Sequence, residues 1–293
     1  MVLIRLSWLV LLFTVVVPEF LPAQTETKSE RDLKALVQRQ RSLVARAEEI
    51  DDQAGMDDLR PQFQTLVFDY ERFLRENPRY VPGYVSYALL LGQELVGEPK
   101  RAVALLLKAN EMEPNLPLVK NQIGNYLAEQ GKPLEAINYY LSATELAPDE
   151  PLYHYQVGLL LTVARDDFEN SGDWSSETLT ATAHRAFGRA YELSSGNFEY
   201  GYRYAQSFYD LASPDWDQAL SAWRALEKKA ETKLGRNAVR LQEANVMINQ
   251  RNYLDARQLI VGIDDLDLRP QRDELLLKLN EVFPETPGVP NGS

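Results

Sequence analysis

Apolar positions in the central part of the chain recur at helical spacing and do not alternate. In "GKPLEAINYYLSATELAPD", residues 131–149, Ala136, Tyr140 and Ala143 are separated by four and then three residues. These separations place the three on one face of a helix. Gly131 and Pro133 precede the stretch and Pro148 follows it, so the pattern predicts a helix that starts near 133 and stops before 148. Moving back 34 residues gives "GEPKRAVALLLKANEMEPN", in which Gly97, Ala102, Leu106, Ala109 and Pro114 occupy the same slots. A period of this length points to a helical repeat.

The stretches just upstream repeat as well. "GYVSYALLLGQELV", "PLVKNQIGNYLAEQ" and "PLYHYQVGLLLTVA" align, with Ile123, Gly124 and Leu127 matched by Val157, Gly158 and Leu161. Each repeat therefore reads as a first helix, A, and a second helix, B. The repeats fall near 83–116, 117–150, 151–197, 198–236 and 237–268. In the third, helix B is displaced to Ala183, Phe187 and Ala190, and 13 extra residues in "RDDFENSGDWSSET" read as a loop insertion. The fourth carries Tyr204, Ala205, Phe208, Ala219, Trp223 and Leu226, and the fifth Ala244, Met247, Ala256 and Ile260. Residues 24–82 read as N-terminal helices with a half-repeat cap, 269–283 as a C-terminal capping helix and 284–293 as a disordered tail.

The pattern Ile123, Gly124, Leu127, Ala136, Tyr140, Ala143, Pro148 resembles the tetratricopeptide repeat (TPR) family, with Lys120 in the slot where the family usually has Trp. The likeness extends over about 28–283 and is best over 83–150. It implies an all-α, right-handed α-solenoid of about five repeats plus capping helices. It assigns repeat packing to Ile123, Gly124, Leu127, Ala102, Ala109, Ala136, Tyr140, Ala143, Pro114 and Pro148. Small residues let the helices approach and large ones fill the gaps; stacking hides the apolar face that one hairpin leaves open.

The resemblance also implies a concave groove lined by the A helices. The register gives Tyr84, Tyr87 and Leu91, then Asn121 and Asn125, Tyr155 and Leu159, Tyr202 and Gln206, and Leu241 and Asn245. Tyrosine supplies rigid amphipathic contact area and asparagine can bond a peptide backbone; packing between repeats is the competing role for these tyrosines. The carboxylate clamp of some TPR domains would need Lys, Asn and Lys where Tyr87, Gln122 and Leu152 stand, so a chaperone-tail ligand is not expected.

Composition narrows the function. The formal net charge is −12, which argues against a nucleic-acid partner. There is no cysteine, so disulfides, thiolate nucleophiles and cysteine-bound zinc are excluded. The start, "MVLIRLSWLVLLFTVVVPEFLPAQ", has Arg5 followed by a 12-residue apolar run, too short to span a bilayer comfortably and suited to a signal peptide over 1–23. An uncleaved N-terminal anchor is the alternative. The expectation is an exported protein, periplasmic or secreted. Without disulfides or an internal glycosylation sequon, the chain fits a bacterial periplasm slightly better.

Chemistry-bearing residues are sparse. His154 and His184 lie on the two helices of the third repeat, with no acidic partner at metal-site spacing. The segment from Asp167 loosely suggests a calcium loop, but Thr178 stands where a bidentate Glu is required. No phosphate-binding loop, nucleophile elbow or zinc-protease helix is present. The expectation is a non-enzymatic scaffold without a cofactor or metal, binding a protein or peptide in its groove. The alternatives are a structural subunit of a cell-envelope or secretion assembly and an accessory domain that regulates an enzyme.

Overall fold

The computed structural model describes residues 26–50 and 53–284. The expected signal peptide (1–23) lies outside the described residues, as do positions 285–293 of the expected tail. Every regular element among the described residues is helical. The fourteen α-helices among them are α1 Lys28–Glu48, α2 Gln53–Glu76, α3 Val81–Leu91, α4 Pro99–Met112, α5 Pro117–Glu129, α6 Pro133–Leu146, α7 Pro151–Val163, α8 Arg165–Ser171, α9 Ser176–Leu193, α10 Phe198–Ser207, α11 Trp216–Glu227, α12 Lys233–Asn249, α13 Tyr253–Val261 and α14 Arg269–Val282. They form two compact bodies, one ending at Ala147 and the other starting at Pro148.

Local chemistry sets the helix ends. Proline opens α4, α5, α6 and α7, where its missing N–H costs no hydrogen bond and its fixed φ suits a first turn. After α5 the chain reverses through Gly131 at φ +69°. The Lys132 N–H donates to the Leu127 carbonyl at 2.9 Å and the Gly131 N–H to Ala128 at 3.0 Å. This is a Schellman ending, and it needs the left-handed backbone that glycine supplies. Arg251 makes the same turn after α12, at φ +63°. The first helix is closed by a capping box between Thr27 and Glu30.

In the first body α1 packs on α2, α3 on α4 and α5 on α6, with α2 against α3 and α4 against α5. One core runs through it, from Leu33 and Phe63 through Tyr70, Leu90 and Leu106 to Ile123. The small residues of the repeat mark close helix contacts. Ala102, Ala109, Ala136 and Ala143 are fully buried. A Cβ at Gly124 would lie 2.7 Å from the Tyr140 ring, so glycine is what lets α5 and α6 meet there. Ile123 and Tyr140 are buried and Leu127 half-buried. Pro114 and Pro148 are exposed; their slot follows the helix end, where proline acts as a terminator.

In the second body α7 packs on α9, α10 on α11 and α12 on α13, with α9 against α10, α11 against α12 and α14 against both α12 and α13. Gly158 repeats the Gly124 device: a Cβ there would lie 2.8 Å from the Phe187 ring. Trp223, Ala205, Ala219 and Val246 form one core cluster, and Ala244, Ala256, Ile260 and Leu279 another. The segment expected to be a loop insertion carries α8. Its Phe168 is fully buried, with the Trp174 ring edge-on at 5.6 Å. One apolar side chain folded inward turns a polar-looking stretch into a packed turn of helix.

Candidate partner-binding site

The A-helix register does not produce the expected open stripe of tyrosines. Tyr84, Tyr87 and Tyr155 are buried, as are Leu91, Leu241 and Asn121. Their rings occupy space between helices. Tyr87 stacks on Tyr70 at 5.4 Å, and its hydroxyl accepts from Arg101 while donating to Glu71. Tyr84 donates to the Pro78 carbonyl at 3.0 Å. Tyr155 lies against Phe187 and Tyr200 and donates to Glu199 at 3.0 Å. Desolvation, the largest cause, and the bond to Glu199 both push the Tyr155 hydroxyl above its ordinary pKa. A large ring buries more apolar area between hairpins than on a groove wall, so packing claims these positions.

The polar members are divided. Asn125 is half-buried and accepts from the Tyr140 hydroxyl at 2.7 Å. Asn121 is fully buried and neither side-chain atom has a protein partner. Asn245 is half-buried and accepts from Lys278 at 2.7 Å. Tyr202 is half-buried, with the Trp223 ring edge-on at 5.1 Å. Of this polar set, only Gln206, on α10, is exposed.

Gln206 opens onto a cavity of about 290 Å³ within the second body. Thr162 of α7, Phe187 of α9, Arg203, Gln206 and Ser207 of α10, and Tyr209 and Asp210 just beyond it form its walls. The Arg203 guanidinium lies over the Phe187 ring, 5.2 Å from its centre, a cation–π arrangement. Its Nη1 donates to Gln206 at 2.6 Å. Its Nε is buried and has no acceptor. Beside the cavity, Ser207 donates to the Tyr204 carbonyl at 2.7 Å and therefore accepts from His184 Nδ1 at 2.8 Å. Burial holds the His184 pKa below the ordinary histidine value by disfavouring the charged ring. His154, by contrast, is half-buried and bonds the Pro148 carbonyl at 2.8 Å.

Arg203, Phe187 and Asp210 fall outside the groove positions that the register assigns. Arg203 lies one position after Tyr202 and three before Gln206, so allowing a wider face on α10 would have included it. Among the described residues no group of three or more His, Asp or Glu side chains is placed to hold a metal ion, and no helix is long and apolar enough to cross a membrane.

The architecture has solved counterparts. It is similar to YrrB, a TPR protein with an unusual peptide-binding site, at a TM-score of 0.52 and 18% identity over 74% of this chain and 93% of that one. It is similar to pilF of Pseudomonas aeruginosa, at 0.56 and 15% over 89% and 96%. A third likeness is to a chain of the Naa15/Naa10 complex bound to HypK-THB, at 0.51 and 16% over 84% of this chain and 34% of that one. No family model and no curated protein matches the sequence. The chain thus has the all-α helical-repeat fold seen in TPR proteins.

Proposed function

We propose that this chain is a non-enzymatic scaffold that holds a protein or peptide partner on the A-helix side of its repeats. The carrying observation is the cavity between α7, α9 and α10, where a register-predicted groove residue, Gln206, is exposed beside a concave wall. Pockets that combine an apolar ring with a few polar groups are typical ligand sites. The peptide-binding site of YrrB, on the same kind of fold, supports the reading. The short apolar N-terminal run supports an exported location, and the acidic net charge supports a partner other than nucleic acid.

Photo-crosslinking in the native host tests this. A benzophenone amino acid replaces Gln206 in one variant and Ser221, an exposed residue of α11, in another. A discrete adduct from position 206 that is absent from position 221 is the expected result. No adduct at 206, or the same adducts at both positions, rejects the groove as the docking side.

A further inference from the structure

We propose that Arg203 is a receptor for a carboxylate, and that its cavity takes an acidic side chain, Asp or Glu, from the bound partner segment. The proposal rests on the scaffold reading above and adds the partner's chemistry.

The chain holds 43 acidic residues against 31 basic ones, so arginines have carboxylates within easy reach. Arg39, Arg72, Arg101, Arg165, Arg189, Arg224, Arg240 and Arg272 each have one within 4 Å. Arg203 is half-buried and has none among the described residues. A guanidinium carries five donors in a rigid fork that matches a carboxylate in pairs. Here Nη1 alone is engaged among the described residues, with Gln206. The opposite edge runs from Nε, which is unpartnered but closed to solvent, to Nη2, so a carboxylate that makes parallel bonds along it must displace the side chains covering Nε.

The surroundings select the same ligand. The lining hydroxyls already donate their hydrogens within the fold, so the remaining donors of the cavity are those of Arg203 and the Gln206 amide, and only Arg203 is charged. Phe187 fixes the plane of the guanidinium and offers an apolar surface for the methylenes of Glu or Asp. A cavity of about 290 Å³ has room for such a side chain. Asp210 lies on the same wall, 3.5 Å from Arg165. Its charge repels a phosphate dianion more strongly than a single carboxylate.

The test is a titration of the ¹⁵N-labelled full chain, reading the Arg203 Nε–H resonance, which is identified by its loss in Arg203→Lys. The probes are N-acetyl-glutamate N-methylamide, its neutral glutamine counterpart, N-acetyl-alanine (a terminal carboxylate only) and inorganic phosphate. The glutamate probe should move the resonance saturably at millimolar concentration, and the glutamine probe should not. Binding of the glutamate probe, followed by tyrosine fluorescence, should weaken at least tenfold in Arg203→Lys, which retains charge but lacks the paired edge. No saturable shift, or equal binding of the glutamine probe, N-acetyl-alanine or phosphate, overturns the proposal. An adduct at position 206 together with such a failure would remove the carboxylate and leave the scaffold reading standing. Loss of the adduct with the glutamate shift intact would do the reverse.

Discussion

The hydroxyl of Tyr140 on α6 donates to the side-chain oxygen of Asn125 on α5 at 2.7 Å. The same ring closes over Gly124, so one residue supplies both the packing and the polar tie of this hairpin. Tyr140→Phe removes only the tie. Asn125 is half-buried and regains water, so the expected loss is about 1 kcal/mol of stability with the helix content unchanged. Urea unfolding followed by circular dichroism measures it.

Gly124→Ala puts a methyl group 2.7 Å from the Tyr140 ring, and helix–helix separation must increase. Overpacking of this kind costs about 1–3 kcal/mol. Gly131→Ala meets nothing within 4 Å and suffers only from its positive φ. That strain costs about 1–2 kcal/mol. The two are told apart by Tyr140→Leu, whose smaller side chain should rescue the first variant and leave the second unchanged in a double-mutant unfolding experiment.

Glu243 lies on α12 beside Arg224 and Glu227 of α11 and Arg240 of its own helix. Desolvation is the main cause, with the Glu227 charge next, that raises its pKa to about 7. One of its carboxylate oxygens is buried without a partner. The folded protein therefore holds a proton that the unfolded chain releases near 4.5. This stabilising contribution is complete below 4.5 and fades as pH rises through 7. A displacement of this size corresponds to at most about 3 kcal/mol. Glu243→Gln imitates the protonated form. Its melting temperature should exceed that of the parent at pH 8 and approach it at pH 4; equal values at pH 8 would contradict this assignment.

Phe168 anchors α8 by burying its whole ring. Phe168→Ala should cost about 3–5 kcal/mol, the range for removing a core aromatic. Limited proteolysis should then cut within 165–175 at protease levels that leave the parent intact. An unpacked loop would lose almost nothing.

The parts of the fold legible in the sequence are those governed by short-range steric rules. Gly97 and Gly131 at the turns, prolines at the helix starts and alanines at the contacts are local signals, and the elements follow them. The site was less legible because side-chain burial depends on neighbours distant in sequence. Tyr87 and Tyr155 occupy the slots a groove would use, yet Tyr70 and Phe187 draw them inward. Arg203 escaped notice for the converse reason: nothing within its own helix shows that its guanidinium lies on an aromatic ring from α9. In α8 the polar composition outweighed a single phenylalanine, although one buried ring is enough to hold so short a helix in place.

Pro117 opens α5, Gly131 and Pro133 divide α5 from α6, and Pro148 follows α6 before Pro151 begins the next helix. The segment 117–150 therefore carries most of its own signals for starting, turning and stopping, with only the Leu116 carbonyl, which accepts from the Lys120 N–H, supplied from outside. A tandem copy inserted after residue 150 would meet the same junction chemistry at both ends, which makes this stretch a transplantable cassette and the length of the array an engineerable variable.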